Sequence, residues 1–183
     1  MKTVFFDVDK EVSEETLHDM HKERMNGNLV FVCSRKPYYQ TYFQYFRYAN
    51  GYISNDYNYV QMGCCEVMRD VRYTAEEIES LFEKVHPYAS LILHGVRDSY
   101  VYEDILSLTE YRLVPYSNQT VYSFSVYSKT SASLKEVKEL LESYCDLKQV
   151  NELLLDAHNK SSSLMEACKQ VCDYFDNNDM EIR

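Results

Sequence analysis

Two short apolar segments near the start of the chain, separated by one helical segment, constrain the fold most. Residues 2–8 are rich in Val and Phe and end in acid, and residues 29–33 are wholly apolar. Apolar runs of this length are typical of strands buried in a parallel sheet. Between them, Ser13 precedes Glu14 and Glu15, which is the pattern of a capped helix start. This order predicts a right-handed β-α-β crossover unit.

The pattern changes in the middle of the chain. The segment 38–54 continues the first pattern with an aromatic-rich helix and a short strand, whereas residues 120–127 alternate apolar and polar side chains. Alternation is typical of an antiparallel sheet with one face in water. We therefore predict an α/β fold with a Rossmann-like parallel core at residues 1–72 and 150–183, and an inserted α+β domain at residues 73–149.

Composition and charge limit the classes of partner that this protein can bind. Of 183 residues, 45% are hydrophobic, and 19 Lys and Arg stand against 29 Asp and Glu, which gives a net charge of −10. A chain this acidic repels phosphate backbones and anionic membrane surfaces, so we expect no nucleic-acid and no membrane partner. It also lacks an apolar run of the roughly 20 residues that span a bilayer, and we expect a cytoplasmic protein.

The cysteines lack Cys-x-x-Cys spacing and are interpreted as small apolar residues.

Chemistry-bearing residues follow the predicted strands. Asp7 and Asp9 come at the end of the first strand, Ser34 and Lys36 follow the second, and Lys160 precedes the last helix. Ligands bind at the carboxyl ends of parallel strands. Of two carboxylates at this edge, one can act as a nucleophile or metal ligand and the other as an acid or base. A hydroxyl and ammonium groups at the same edge can bind a phosphate. The alternative interpretation is a turn serine, solvated lysines and a strand that happens to end in acid.

The order of these segments resembles the haloacid dehalogenase-like (HAD) phosphatase superfamily, in particular its Cof-type sugar phosphatase branch. Residues 5–9 resemble the first motif, an apolar strand followed by Asp-x-Asp-Gly-Thr. Residues 30–37 are similar to the second motif, which ends in Thr-Gly-Arg-Pro, and residues 51–54 to the strand after it. Residues 156–160 resemble the approach to the lysine of the third motif. The inserted middle domain occupies the place of the family's cap.

The resemblance implies a Mg²⁺-dependent phosphatase that acts on a small phosphorylated metabolite. Asp7 is then the nucleophile that forms an aspartyl-phosphate, and Asp9 is the acid and base. Ser34 and Lys160 hold the transferring phosphoryl group, with Lys36 where the family has Arg, and Asp7 and Asp9 are the metal ligands. In the cap, substrate contacts are expected from His94, Arg97, Tyr100 and Arg112.

The sequence also departs from the family pattern. Lys10 and Glu11 stand in place of Gly-Thr, and the fourth motif, a strand followed by Gly-Asp-x-x-x-Asp, is missing. Residues 176–183 resemble only the segment leading into that strand, so we expect a HAD-like core that is incomplete, truncated before the fourth motif. Fewer acidic ligands imply weak or absent Mg²⁺ binding and impaired activity. The alternative is a catalytically degenerate HAD-fold protein that acts as a phosphate-binding or protein-interaction module.

Loss of the fourth-motif strand has a structural consequence. In the family that strand pairs directly beside the first, so residues 3–8 are expected to form an exposed, apolar sheet edge. Such an edge pairs readily with another chain. We therefore expect either a homo-oligomer through the edge of the first strand or coverage of that edge by the protein's own tail.

Overall fold

The computed structural model describes residues 1–10, 12–103, 105, 108 and 111–183. Glu11, one of the two residues that stand in place of the family's Gly-Thr, lies outside the described residues. The elements in chain order are β1 (Thr3–Asp7), α1 (Glu14–Met25), β2 (Leu29–Cys33), α2 (Tyr38–Tyr45), β3 (Gly51–Ser54), β4 (Tyr59–Met62), β5 (Glu66–Asp70), α3 (Ala75–Val85), β6 (Ser90–His94), β7 (Ser99–Val101), β8 (Leu113–Pro115), β9 (Ser123–Tyr127), α4 (Ser131–Leu141), β10 (Cys145–Asn151), β11 (Leu154–Asn159), α5 (Leu164–Tyr174) and β12 (Met180–Ile182). They form two compact units, residues 1–71 with 163–183 and residues 72–162.

The first unit is built on a sheet with the strand order β12-β1-β2-β3-β4-β5. β12, β1, β2 and β3 run parallel, as the apolar segments and the intervening helices predict. Helix α1 begins where expected, because the Ser13 hydroxyl accepts the N–H of Thr16 at 3.1 Å. Helix α5 covers one face of the sheet, where Phe5, Phe31 and Val171 are fully buried in one apolar cluster. The predicted parallel core is therefore confirmed for these strands.

The far side of the same sheet differs from the prediction. β4 pairs with β3 in antiparallel fashion, and β5 pairs with β4 in the same way. The prediction of a parallel core over residues 1–72 is therefore wrong for β4 and β5. The reversal arises in the turn of residues 55–58, since a connection this short permits only an antiparallel return.

The edge of β1 is covered by the protein's own tail. β12 pairs with β1 in parallel register, Thr3 opposite Met180 and Phe5 opposite Ile182. The expectation of an exposed β1 edge is thus wrong, and coverage by the tail is what the structure has. β12 also takes the position that the resemblance assigns to the fourth-motif strand. On it, Glu181 pairs with Lys2, and charges of this kind discourage further strand addition.

The second unit is built on a sheet with the strand order β10-β11-β9-β6-β7-β8. The pairs are antiparallel except for β7 with β8. Helices α3 and α4 supply Ile78, Val85, Val137 and Leu141 to a core cluster that includes Phe124 of β9. Helix α3 begins with a capping box, in which Thr74 and Glu77 exchange hydrogen bonds. This is the α+β unit that the alternating pattern predicts.

The boundary between the units differs from the expected one on the C-terminal side. We expected the core to resume at residue 150, whereas the second unit extends to Ser162. The reason is the hairpin of β10 and β11, whose second strand also pairs with β9. Apolar β11 residues such as Leu154 and Ala157 are buried by this pairing rather than in the parallel sheet.

None of the helices in the described residues combines the length and the apolar character needed to cross a bilayer.

Candidate functional site

The candidate site lies where β1 and β2 end. The two strands are parallel and in register, with Asp7 opposite Cys33, so the residues that follow them leave the sheet at the same edge. The N–H of Val8 donates to the carbonyl oxygen of Cys33 at 2.9 Å, which extends the pairing one step beyond the strands. Ser34 is fully buried directly after β2. The first unit therefore brings the predicted strand-end residues together.

Asp7 presents an exposed carboxylate at this edge. Its Oδ1 accepts the N–H of Asp9 at 3.1 Å, which closes the short loop that joins the two acids. Its backbone N–H donates to the carbonyl oxygen of Arg183 at 3.0 Å, so β12 supports the end of β1. Asp7 is thus held by its backbone while its side chain stays accessible.

Asp9 has a different environment, because its carboxylate accepts hydrogen bonds from the loop after β2. The hydroxyl of Ser34 donates to Oδ1 at 2.7 Å, and the N–H of Arg35 lies 2.9 Å from Oδ1 and 3.1 Å from Oδ2. A serine hydroxyl has one proton to donate. For Ser34 to contact a phosphoryl group, as predicted, it must first release Asp9.

Lys36 lies in the same loop, with an exposed side chain. Its N–H donates to Oγ of Ser34 at 3.1 Å, and its carbonyl oxygen accepts the N–H of Asn55 at 2.8 Å. The backbone of Lys36 therefore helps to fix Ser34. The role of its side chain in phosphate binding remains a prediction.

Lys160 belongs to the second unit, just after β11. Its Nζ donates to the carbonyl oxygen of Glu142 at 2.7 Å, near the end of α4. Within the first unit the structure thus assembles Asp7, Asp9, Ser34 and Lys36 without it. Its phosphate-binding role remains a prediction.

Three further residues belong to this site and are not among those predicted from the sequence: Arg35, Asp56 and Tyr57. The guanidinium of Arg35 pairs with Oδ1 of Asp56 at 2.9 Å, and the Asp56 side chain is only 2% exposed. The hydroxyl of Tyr57 lies 3.3 Å from Oδ2 of Asp9. The available signal was the run of Asn55, Asp56 and Asn58 after the third strand, residue types that are typical of turns.

The electrostatics of the site follow from burial beside two carboxylates. Burial raises the pKa of the Tyr57 phenol, and the charges of Asp9 and Asp7 raise it further. Burial lowers the pKa of Arg35 and is the largest single effect on it, but the contributions of Asp56, Tyr57 and Asp9 together outweigh burial, so the net shift of the pKa is upward. Tyr57 therefore keeps its proton as a hydrogen-bond donor, and Arg35 keeps its charge.

The predicted Mg²⁺ ligands, Asp7 and Asp9, fit a metal ion only in part. Carboxylate oxygens are suitable ligands, but those of Asp9 accept hydrogen bonds from Ser34, Arg35 and Tyr57. Over the described ranges, no group of three or more His, Cys, Asp or Glu side chains is arranged to hold a metal ion. Asp7 alone offers an open carboxylate.

The predicted cap residues have varied surroundings. His94 is 3% exposed, and its ring nitrogens lie 2.7 Å from Ser99 Oγ and 2.7 Å from Ser125 Oγ. Arg112 pairs with Asp98 at 2.7 Å, while Arg97 is exposed and Tyr100 is buried. His94 is therefore held inside the second sheet rather than presented to a ligand.

The fold matches solved structures over nearly the whole chain. A haloacid dehalogenase-like hydrolase from Bacteroides thetaiotaomicron has a TM-score of 0.79 at 10% identity, over 99% of this chain and 80% of that one. A haloacid dehalogenase-like hydrolase from B. subtilis has a TM-score of 0.74 at 11% identity, over 100% and 82%. A sugar phosphatase of HAD subclass IIB has a TM-score of 0.69 at 16% identity, over 100% and 80%.

At the level of sequence the comparisons differ. No family model matches the chain, and no curated protein matches it. The structural likeness, at identities of 16% or less, shows that the chain has the fold of these HAD-superfamily proteins, the fold predicted from the motifs.

Proposed function

We propose that this protein is a HAD-type phosphatase that acts on a small phosphorylated metabolite, with Asp7 as the nucleophile. The observation that supports this most is that two carboxylates in different environments lie close together in the chain at the end of β1. Asp7 is exposed, whereas Asp9, two residues later, is held by donors from the loop after β2. An accessible nucleophile beside a fixed acid and base is the arrangement that two-step phosphoryl transfer requires.

In the first step an oxygen of Asp7 attacks phosphorus, and the bond from phosphorus to the leaving oxygen breaks. We assign the attack to Oδ2, because Oδ1 accepts the N–H of Asp9. The leaving oxygen takes a proton from Asp9. Water then attacks the phosphorus of the aspartyl-phosphate and gives a proton to Asp9, while the bond from phosphorus to Oδ2 of Asp7 breaks. Phosphate is released, Asp7 is again a carboxylate and Asp9 is again protonated.

Three further groups are proposed to hold the phosphoryl group: the Ser34 hydroxyl, Lys36 and, from the second unit, Lys160. Positive charge and hydroxyl donors stabilise the charge that develops on the phosphoryl oxygens. Mg²⁺ supplies additional charge neutralisation when bound. We expect its affinity to be low, because Asp7 is the one predicted ligand whose carboxylate is open among the described residues.

The proposal is tested by assaying purified protein with Mg²⁺ against a panel of sugar phosphates. Asp7→Asn removes the nucleophile with little change in shape, and we expect kcat to fall at least about a thousandfold. Asp173→Asn, an exposed residue on α5, is the matched control and should leave kcat unchanged. Equal activity in both variants would mean that a contaminant performs the hydrolysis.

A second candidate function is supported by the hydrogen bonds that the Asp9 carboxylate accepts. A carboxylate that accepts hydrogen bonds on both oxygens is well placed as a structural anchor in a phosphate-binding or protein-interaction module without turnover. Binding of orthophosphate or vanadate with no hydrolysis of any ester would favour the phosphate-binding form. A specific protein partner combined with no phosphate affinity would favour the interaction form.

A further inference from the structure

The hairpin that joins β4 to β5 carries two neighbouring thiols at its tip. The tip lies between Met62 and Glu66, which pair with each other. Cys64 and Cys65 are both exposed. The other four cysteines are buried: Cys33, Cys145, Cys168 and Cys172. The interpretation of the cysteines as small apolar residues therefore fits the buried four and does not account for the exposed pair.

The two thiols of the tip lie side by side. Successive side chains of a strand point to opposite faces of the sheet, but the Sγ atoms of Cys64 and Cys65 are 3.8 Å apart. Because the chain reverses here, with Gly63 in the left-handed region at a φ of 60°, the alternation of a strand is lost. The tip therefore presents two sulfur atoms together to solvent.

The separation of the two sulfur atoms fits a tetrahedral metal ion. Thiolates bind zinc at about 2.3 Å in tetrahedral geometry, so two sulfur ligands of one zinc ion lie about 3.8 Å apart. The Sγ atoms of Cys64 and Cys65 have this separation. A disulfide bond requires about 2.05 Å, so the two sulfur atoms would have to move much closer together to form one. The geometry favours a shared metal ion over a bond between the sulfurs.

The tip supplies half of the ligands that a structural zinc site needs. Such sites have four protein ligands. In the part of the chain that the structure describes, no group of three or more His, Cys, Asp or Glu side chains is arranged to hold a metal ion. The next carboxylate along the chain, that of Glu66, accepts a hydrogen bond from the Tyr174 hydroxyl. Two further ligands therefore have to come from outside the described residues.

A second copy of the chain has the ligands that a complete site requires. Two tips related by a two-fold axis through the metal ion each contribute the same pair of cysteines, which gives four thiolates around one ion. Four sulfur ligands in tetrahedral geometry are a donor set typical of zinc. Each chain carries a net charge of −10, so two copies repel one another unless a cation lies between them.

The tip is distant along the sheet from the carboxylates of the candidate site. β4 begins at Tyr59, next to the turn that contains Tyr57, whose hydroxyl lies 3.3 Å from Oδ2 of Asp9. β4 ends at Met62, next to the tip. The tip and the turn that contacts Asp9 are therefore at opposite ends of this strand.

We propose that Cys64 and Cys65 of two copies of the chain bind one zinc ion between them, which makes the tip a metal-dependent dimer contact. On binding, the four thiols release their protons to solvent and four Zn–S bonds form, with no change in oxidation state. The proposal is independent of the proposed phosphatase function, because Asp7 and Asp9 take no part in it.

The test is titration of the reduced wild-type protein with Co²⁺, a spectroscopic substitute for zinc, in the absence of oxygen. Tetrahedral coordination by thiolates gives strong visible and near-ultraviolet absorption, which ligation by carboxylates alone does not give. We expect this absorption to saturate at about half an equivalent of Co²⁺ per chain. Light scattering after addition of Zn²⁺ should show twice the mass of one chain, and EDTA should reverse the change.

Single substitutions at the tip separate this site from other metal-binding groups. Cys64→Ser and Cys65→Ser each remove one ligand at an exposed position, so the fold should be kept. We expect each to weaken Co²⁺ binding at least about tenfold and to prevent dimer formation. Cys145→Ala, which removes a buried thiol of the second unit, is the control and should behave as the wild type.

Two results would overturn the proposal. If Co²⁺ gives no thiolate absorption, or binds Cys64→Ser as tightly as the wild type, the two thiols are not metal ligands. If the absorption saturates at one equivalent per chain and the mass stays that of one chain, the ion is not shared between copies.

Discussion

The hydroxyl of Ser34 donates to Oδ1 of Asp9 at 2.7 Å and so ties the loop after β1 to the loop after β2. Ser34 is fully buried, and its Oγ also accepts the N–H of Lys36 at 3.1 Å. One side chain therefore serves a carboxylate and a backbone donor at the same time. The arrangement couples the stability of the first unit to the geometry of the candidate site.

Ser34→Ala should lower the free energy of unfolding by about 1–3 kcal/mol, because it removes one of the two donors to Oδ1 of Asp9 and the acceptor of the Lys36 N–H. Urea denaturation measures the change. Ser80→Ala, at an exposed position on α3, is the matched control and should stay within about 0.5 kcal/mol of the wild-type value. A loss as small as that of the control would show that the Ser34–Asp9 bond is not formed in solution.

His94 should make stability depend on pH. Burial lowers the pKa of His94 from 6.5 to about 3 in the folded state. Ser125 donates its proton to Asp156 at 2.7 Å, so it accepts from Nε2 of His94, and Nδ1 accepts from Ser99. The folded protein thus holds a neutral ring.

The sign follows from proton binding. Between pH 6.5 and about 3 the unfolded chain binds a proton at this residue that the folded chain excludes. The contribution of the neutral His94 to the free energy of unfolding is fully present above pH 6.5. Below that pH the free energy of unfolding falls by up to about 1.4 kcal/mol per pH unit. His94→Gln should remove this slope between about pH 5 and 6.5, and His18→Gln, on an exposed part of α1, should retain it. Equal slopes in both variants would contradict the assignment.

Removal of β12 should promote self-association. Deletion of residues 180–183 uncovers the β1 edge, including the carbonyl oxygen of Phe5 that accepts the N–H of Arg183 at 2.9 Å. An apolar strand with unpaired amides pairs readily with another chain. Light scattering after size-exclusion chromatography should show larger species for the shortened chain than for the full chain at equal concentration. Identical masses would count against β12 as a cover.

Gly51→Ala should destabilise the first unit. A Cβ at Gly51 would lie 2.2 Å from Cε1 of Phe31, whose ring packs against the β3 backbone. Overpacking of this kind costs about 1–3 kcal/mol. Phe31→Leu provides space, so the double variant should lose less stability than the sum of the two single changes in a denaturation cycle. Strict additivity would mean that contact with the Phe31 ring is not the source of the destabilisation by Gly51→Ala.

The sequence by itself determined the meeting of Asp7, Asp9, Ser34 and Lys36. Apolar runs separated by a capped helix permit little except parallel strands with right-handed crossovers, and parallel strands deliver the residues that follow them to one edge. The α+β character of the second unit follows in the same way from alternation. Both features can be predicted from residue order, because they depend on patterns among neighbouring residues.

The tertiary structure decided what no local pattern encodes. β12 is three residues long, and its position beside β1 comes from pairing across nearly the whole chain. The partners of Asp9 come from Ser34, Arg35 and Tyr57, which lie 25 to 48 residues away. The burial of His94 likewise depends on the neighbouring strands of its sheet. Such contacts form only when distant segments pack, because their free energy comes from shared burial and from hydrogen bonds that no single segment contains.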